Sequence, residues 1–274
     1  MTSGAINMTP DEVKQYLDAH VVDEYNLVDV RQSWEYEGYH LPGAALIPLP
    51  ELADRLNEIG PDKATIVYCA AGGRSAAAAN LMHGQGFNEV YNMLGGIKAW
   101  ENEYALGPQS LGMIHFSGDE TELEILYLAY GMEANIASFY TKTASSVTPE
   151  LAEIFNSLAR FEEGHKAKIF SEAHQLDPSL KTREDMEVKS AGKVLEGGMS
   201  SEEFLERTRD YLEFPSGALE AAMIFEAQAL DLYMRYSTKA AKGSSAEILH
   251  WLAQEEKGHL KTLGRLMERD KATV

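Results

Sequence analysis

The rhythm of apolar and polar positions changes about 110 residues into this chain. Before that point, short apolar runs alternate with helix-like stretches. NLVDVR (26–31), ALIPL (45–49), TIVYC (65–69) and EVYNM (89–93) read as strands. TPDEVKQYLDAH reads as a helix with Thr9 as N-cap and Pro10 in its first turn. LPELADRLNEIG, SAAAANLMHGQGF and GGIKAWENEY read as further helical stretches. Strands alternating with helices predict an α/β unit, a parallel sheet with helices on both faces. Residues 105–120, ALGPQSLGMIHFSGDE, hold three Gly and a Pro and read as a connection. The expected organisation is a first domain at 1–107, a linker at 108–118 and a second domain at 119–274.

From Asp119 onward the strand signals vanish. TELEILYLAYGMEANIASFYTKTA places apolar residues at helical spacing for over twenty positions. PELAEIFNSLARFEEGHKAKIFSEAH follows, started by Thr148-Pro149. GALEAAMIFEAQALDLYMRYSTKA and SAEILHWLAQEEKGHLKTLGRLMER read as a third and fourth long helix. Between the pairs lies a long polar connection, 177–215, with SSEEFLERTRDYLEF as a short helix inside it. This half repeats itself. EANIASFY (133–140) matches EAQALDLY (226–233), and LARFEEGH (158–165) matches LAQEEKGH (252–259). Two helix hairpins joined by one crossover predict an all-α four-helix bundle.

The repeat carries chemistry. Glu133 is followed 29 residues later by Glu162-x-x-His165, and Glu226 is followed 30 residues later by Glu256-x-x-His259. A Glu and a His three residues apart lie on one face of a helix, about a turn apart. Two such pairs and one Glu from each remaining helix can surround two cations. Mixed oxygen and nitrogen donors suit iron or manganese better than thiolate-seeking metals. A single Glu-x-x-His is ordinarily a solvated pair. Here Glu133 shares a stripe with Tyr130, Ala137 and Tyr140, and Glu226 lies among Ala222, Met223, Ala229 and Tyr233. A carboxylate on a buried stripe needs a partner. Tyr130, Tyr140 and Tyr233 read as core aromatics in preference to hydrogen-bond donors beside the metals.

Residues 119–274 resemble the rubrerythrin and ferritin-like superfamily. The resemblance implies two iron ions that react with peroxide or oxygen, held by Glu133, Glu162, His165, Glu226, Glu256 and His259; manganese is the alternative. It also implies a homodimer. Two departures stand out. Such proteins carry a further ligand Glu one turn before the third-helix Glu, where this chain has Met223. They also usually end in a four-cysteine domain that delivers electrons. This chain has one cysteine, so an external electron donor is expected.

That cysteine, Cys69, sits in TIVYC-AAGGR-S, where a strand enters a Gly-containing loop followed by Arg74 and a helix. Inward amides, a helix N-terminus and Arg74 all favour a thiolate. A thiolate there is a nucleophile able to carry a transferred group. LVDVR (27–31), EYEGYHLPGAALIP (35–48), YCAAGGRS (68–75) and LGGIKAW (94–100) resemble the rhodanese sulfurtransferases over about residues 5–106. The resemblance implies that Cys69 accepts sulfane sulfur as a persulfide. The amides of Ala70, Ala71, Gly72, Gly73, Arg74 and Ser75 would cradle it, and Arg74 would hold the loop and attract an anionic donor. Asp29 and Arg31 match the family's Asp-x-Arg and read as structural. Related phosphatases use a loop one residue longer, so the six residues from Cys69 to Arg74 favour a sulfur-sized guest. The loop has no Lys or second Arg, so a persulfide competes with thiosulfate as donor; cyanide would be an acceptor. His40 and His83 receive no chemical role.

Charge narrows the possibilities. The net charge is −19, spread as −9 over 1–107 and −10 over 108–274, which disfavours nucleic-acid partners. No run of 18 apolar residues exists, so no membrane partner is expected. MTSGAINMTPDE lacks the basic and apolar segments of a signal peptide, and one cysteine suits a reducing cytoplasm. The preferred reading is a two-domain enzyme with sulfurtransferase activity at Cys69 and a di-iron site. Two others stay open: a di-iron peroxidase or oxidase in which Cys69 donates electrons or senses sulfur, and a metal-binding sensor without turnover.

Overall fold

The structure, a computed structural model, describes residues 5–101, 103–109, 119–145, 147–190, 215–239 and 244–271. The chain forms two compact units, Met1–Gln109 and Ser110–Val274. The first contains β1 (Ile6–Met8), α1 (Pro10–Ala19), β2 (Tyr25–Asp29), α2 (Ser33–Gly38), β3 (Ala45–Leu46), α3 (Leu52–Arg55), β4 (Ala64–Tyr68), α4 (Gly73–Gly84) and β5 (Val90–Met93). The strands make one parallel sheet in the order β1-β5-β4-β2-β3. Central β4 is buried along its whole length, because core packs on both faces. Val67 and Cys69 join one apolar cluster with Val28, Ala78 and Met82. Ile66 and Tyr68 join the other with Leu27, Tyr36 and Ile97. Each fully buried aliphatic side chain here contributes about 1.5–3 kcal/mol.

The local chemistry matches the sequence reading at α1, whose Thr9 and Glu12 form a reciprocal capping box. Elsewhere the structure departs from it. The edge strand β1 was not legible: it is three residues long, with polar Asn7 at its centre and Ile6 exposed. GGIKAWENEY is not a helix; it holds one 3-10 turn, Gly96–Ala99. Gly95 and Gly96 take φ of +74° and +58°, which a continuing right-handed helix excludes. ALIPL contributes only two ladder residues, although Ile47 and Leu49 still donate to the Asp29 and Val30 carbonyls at 2.9 and 3.2 Å. LPELADRLNEIG splits into a four-residue α-turn flanked by 3-10 turns, Leu49–Glu51 and Leu56–Glu58.

The second unit contains α5 (Glu122–Ala144), α6 (Pro149–Leu176), α7 (Arg183–Ser190), α8 (Pro215–Lys239) and α9 (Ser244–Lys271). Thr121 and Glu124 cap α5 reciprocally, and Thr148 precedes Pro149 at the start of α6. Helix α5 packs along α6 and α8 along α9; the two hairpins meet through α5 with α9 and α6 with α8. At one level of the bundle Ile136, Phe139, Tyr140, Phe155, Leu158, Phe225 and Leu263 form a closed apolar cluster. Helix α7 was not legible within the polar connection; it docks by one buried apolar residue, Met186. The short helix expected at SSEEFLERTRDYLEF lies outside the described residues. Among the described residues no helix is long and apolar enough to cross a membrane.

Candidate active sites: a thiol loop and a carboxylate cluster

Parallel sheets place their binding sites beyond the carboxyl ends of the strands. Cys69 follows directly from β4 at that edge. The chain then turns at Gly72, whose φ of +94° makes it the N-cap of α4. A side chain there would also start 3.2 Å from the Gly95 nitrogen, so glycine is required twice over. The turn aims the Gly72 N–H at Cys69 Sγ, 3.1 Å away, and Ser75 Oγ stands 3.5 Å from the same sulfur. Burial works against ionisation of the thiol. The Ser75 hydroxyl and the amides of Ser75, Ala71 and Gly72 outweigh it, and the net shift is downward. Of the predicted cradle residues, the structure thus brings Ala71, Gly72 and Ser75 to the sulfur.

The loop rests on a support the sequence reading did not assign. Ile97 N–H donates to the Cys69 carbonyl at 2.8 Å, and Lys98 N–H donates to the Ala70 carbonyl at 3.1 Å. Between them Gly96 lies so close that a Cβ would fall 2.2 Å from the Cys69 oxygen. The signal was present as the Gly95-Gly96 pair just after β5.

Asp29 and Arg31 are both buried. Arg31 Nη2 donates to Asp29 Oδ2 at 2.6 Å and to the Tyr39 carbonyl at 2.7 Å, and Arg31 Nε donates to both Asp29 oxygens. The pair fixes the segment after β2 beside the thiol loop's own strand. Arg74 is more committed than expected. Its two Nη atoms donate to the two Glu35 oxygens at 2.7 and 2.8 Å. Those bonds are the main reason the Glu35 carboxyl is held down to about 2. Glu35 was not singled out from the sequence, although it opens the segment EYEGYHLPGA. His40 is buried and stacks on Tyr36 at 3.6 Å, and His83 is half-buried in α4; both positions are structural.

In the second unit, the six predicted ligand residues come together as two triads. Glu133, Glu162 and His165 present ligand atoms within 4.8 Å of one another, and so do Glu226, Glu256 and His259. His165 Nδ1 faces Glu162 Oε2 at 2.9 Å and Glu133 Oε2 at 3.3 Å. His259 Nδ1 lies 3.1 Å from both Glu226 Oε2 and Glu256 Oε2. The two imidazoles stack at 3.5 Å, so the triads adjoin. All four carboxylates are buried, at 1–2% exposure. Four charges so close in a dry interior cannot all persist unpaired. Burial, with the neighbouring Glu226 and Glu133 charges, pushes Glu162 well up; burial and Glu133 push Glu256 well up. Against the same burial cost, bonds from His165 hold Glu133 down to about 2, and bonds from His259 lower Glu226. His259 is raised to about 11 by Glu256 and Glu226, against burial.

The donor set fits a metal pair. Glu162 Oε1 is buried and has no hydrogen-bond partner among the described residues, and an oxygen so placed is available to a cation. Each triad offers two carboxylates and one imidazole, the oxygen and nitrogen mixture that iron and manganese accept. Met223 is half-buried and packs against the apolar cluster beside the site, so it adds no donor of that kind.

All three tyrosines are buried core aromatics, as the sequence reading preferred. Tyr140 and Tyr233 are fully buried, with hydroxyls lacking partners among the described residues. Burial first, then the surrounding carboxylates of both triads, drives both phenols well up. Tyr130 instead lies under the Lys166 ammonium, 5.4 Å from its ring centre.

Comparison with known proteins supports both halves. A family model described as Rubrerythrin matches residues 124–214 and 217–273, and one described as Rhodanese-like domain matches residues 9–103. The uncharacterized protein YqhL of Bacillus subtilis is 46% identical over 74 residues, covering 27% of this chain and 59% of that protein. The chain thus spans less than two thirds of that relative. The thiosulfate sulfurtransferase GlpE of Pseudomonas syringae is 37% identical over 78 residues, covering 28% of this chain and 74% of that protein. A crystal structure of a rhodanese-like domain protein from Staphylococcus aureus matches at 32% identity with a TM-score of 0.33, covering 36% of this chain and 93% of the other.

Proposed function

The chain belongs to the rubrerythrin family and carries a rhodanese-like domain ahead of it; from that premise we propose a two-site enzyme, a persulfide-forming sulfurtransferase at Cys69 joined to a di-iron oxidoreductase. The observation that carries the first activity is the ring of donors about one sulfur. Gly72 N–H and Ser75 Oγ face Cys69 Sγ at the N-terminus of α4. A thiolate held this way attacks the outer sulfur of a donor and releases the remainder as its anion. The enzyme is left as a persulfide anion, stabilised by the same donors. An acceptor thiolate, or cyanide, then takes the outer sulfur and restores the Cys69 thiolate.

Glu133, Glu162, His165, Glu226, Glu256 and His259 would hold two iron ions, which would supply redox chemistry toward peroxide or dioxygen. The chain's own part is to keep that place dry with Tyr140, Phe155 and Phe225, and to hold the Tyr140 and Tyr233 phenols protonated inside the bundle as hydrogen-bond donors. Reducing equivalents come from an external donor, because one cysteine cannot build a four-cysteine electron-transfer site. A compartment that keeps a lone thiol reduced, such as the cytoplasm, suits both halves.

The test pairs two measurements on one preparation: thiocyanate release from cyanide with a sulfane donor, and metal content by elemental analysis. Thiocyanate formation with about two iron ions per chain is expected. Fully metallated protein that forms no thiocyanate and gains no sulfur on Cys69 from any donor would remove the first activity.

A further inference from the structure

The bond between Glu35 and Arg74 goes beyond loop support. Arg74 is the loop's sole cationic side chain, and it is part exposed, so it could meet a donor. Yet both Nη atoms donate to the two Glu35 oxygens, which are themselves mostly buried. A guanidinium binds a sulfonate through the same parallel pair of N–H groups. While Glu35 holds them, the planar fork that would recognise a doubly charged donor is filled by an internal carboxylate. Arg31 offers no replacement, because Asp29 and the Tyr39 carbonyl hold its guanidinium. Glu35 is also fixed in place: it closes the α2 capping box by accepting from the Gln32 N–H at 3.1 Å. Helix α2 thus delivers a fixed negative charge to the rim of the thiol loop.

We propose that Glu35 is the residue that selects sulfur donors by charge, disfavouring dianions such as thiosulfate and admitting monoanionic or neutral sulfane compounds. The proposal rests on the sulfurtransferase reading above. Thiosulfate and methanethiosulfonate present the same transferable sulfur but differ by one charge. Attack by the Cys69 thiolate on thiosulfate forms the enzyme S–S bond, breaks the donor S–S bond and expels sulfite with the bond pair. Attack on methanethiosulfonate does the same and expels methanesulfinate. Neither step needs an outside oxidant, and cyanide closes each cycle as thiocyanate.

The experiment compares kcat/KM for these two donors in the full-length protein and in Glu35→Gln, with sulfur gained by Cys69 followed by intact mass. Glutamine retains an oxygen for the α2 cap and removes the charge. The unmodified protein is expected to prefer methanethiosulfonate by about tenfold or more, the effect of one nearby charge at a part-exposed site. Glu35→Gln should raise the thiosulfate value by about the same factor while moving the other donor by less than about threefold. Adding Arg74→Gln to Glu35→Gln should erase that gain. Should Glu35→Gln leave the donor ratio unchanged, or should the unmodified protein use both donors equally well, selection by Glu35 is overturned and sulfur transfer stands. If neither donor places sulfur on Cys69 while a persulfide does, selection by Glu35 is overturned; if no donor of any kind does, the sulfurtransferase reading falls and takes this proposal with it. Glu35→Asp gives the check on folding: it keeps the charge, so a rise in thiosulfate use in that variant would also count against selection by charge.

Discussion

The two sites solve opposite electrostatic problems with different materials. The thiol loop gathers partial positive charge from amides of a short contiguous segment, Cys69 to Ser75, and so stabilises one anion. The carboxylate cluster gathers four full negative charges and two imidazoles from four separate helices. The first site is complete in the bare polypeptide, because backbone N–H groups are permanent donors. The second is incomplete, because buried carboxylates of like charge require protons or cations between them. Backbone geometry should therefore govern the thiol site, and ion occupancy should govern the helical one.

The sharpest way to break this comparison is Cys69→Ser. Sulfur transfer should fall to background in the thiocyanate assay, while metal content by elemental analysis and helix content by circular dichroism stay unchanged. Loss of metal in that variant would show that the sites are not built independently. Next in size is removal of metal by a chelator. The thermal transition of the helical unit should fall by roughly 10 °C in calorimetry, from the binding energy lost, with the sheet unit's transition unmoved. Glu256→Gln refines the same point. It should abolish tight metal binding yet leave the metal-free protein as stable or more stable, since it removes a carboxyl whose burial beside Glu133 disfavours its charged form.

Gly96→Ala probes backbone dependence. The added Cβ must displace the Cys69 carbonyl, from which it would stand 2.2 Å, so kcat for sulfur transfer should drop about 100-fold with metal content intact. Smallest is Ser75→Ala. The thiolate is the attacking form, so sulfur loading should decline as pH falls through the Cys69 pKa. That pKa is depressed by Ser75 and the loop amides against burial. Removing the hydroxyl should move the midpoint of the pH profile upward, and an unmoved midpoint would show that the hydroxyl does not set it.

Legibility in the sequence followed how local each signal is. Thr9 with Glu12 and Thr148 with Pro149 marked helix starts because caps are made within one turn. The repeated Glu-x-x-His marked the cluster because the helical period brings residues three apart to one face. Helix α7 and strand β1 were illegible because one buried Met186 and three edge residues impose no period. Gly96 passed as part of a helix because nothing nearby in sequence shows that its missing side chain makes room for the carbonyl of Cys69.

Four of the five strands, the four long helices, the doubled ligand pattern and the lone cysteine on a strand-to-helix loop were determined by the sequence alone, because periodicity, capping and spacing act within a few residues. Only the tertiary structure decided that Glu35, 39 residues from Arg74, occupies its guanidinium, that Gly96 props the loop, and that the two Glu-His triads adjoin through stacked imidazoles. Those pairings arise where separate elements meet. Their distances are set by packing across the sheet and bundle, which no local pattern encodes.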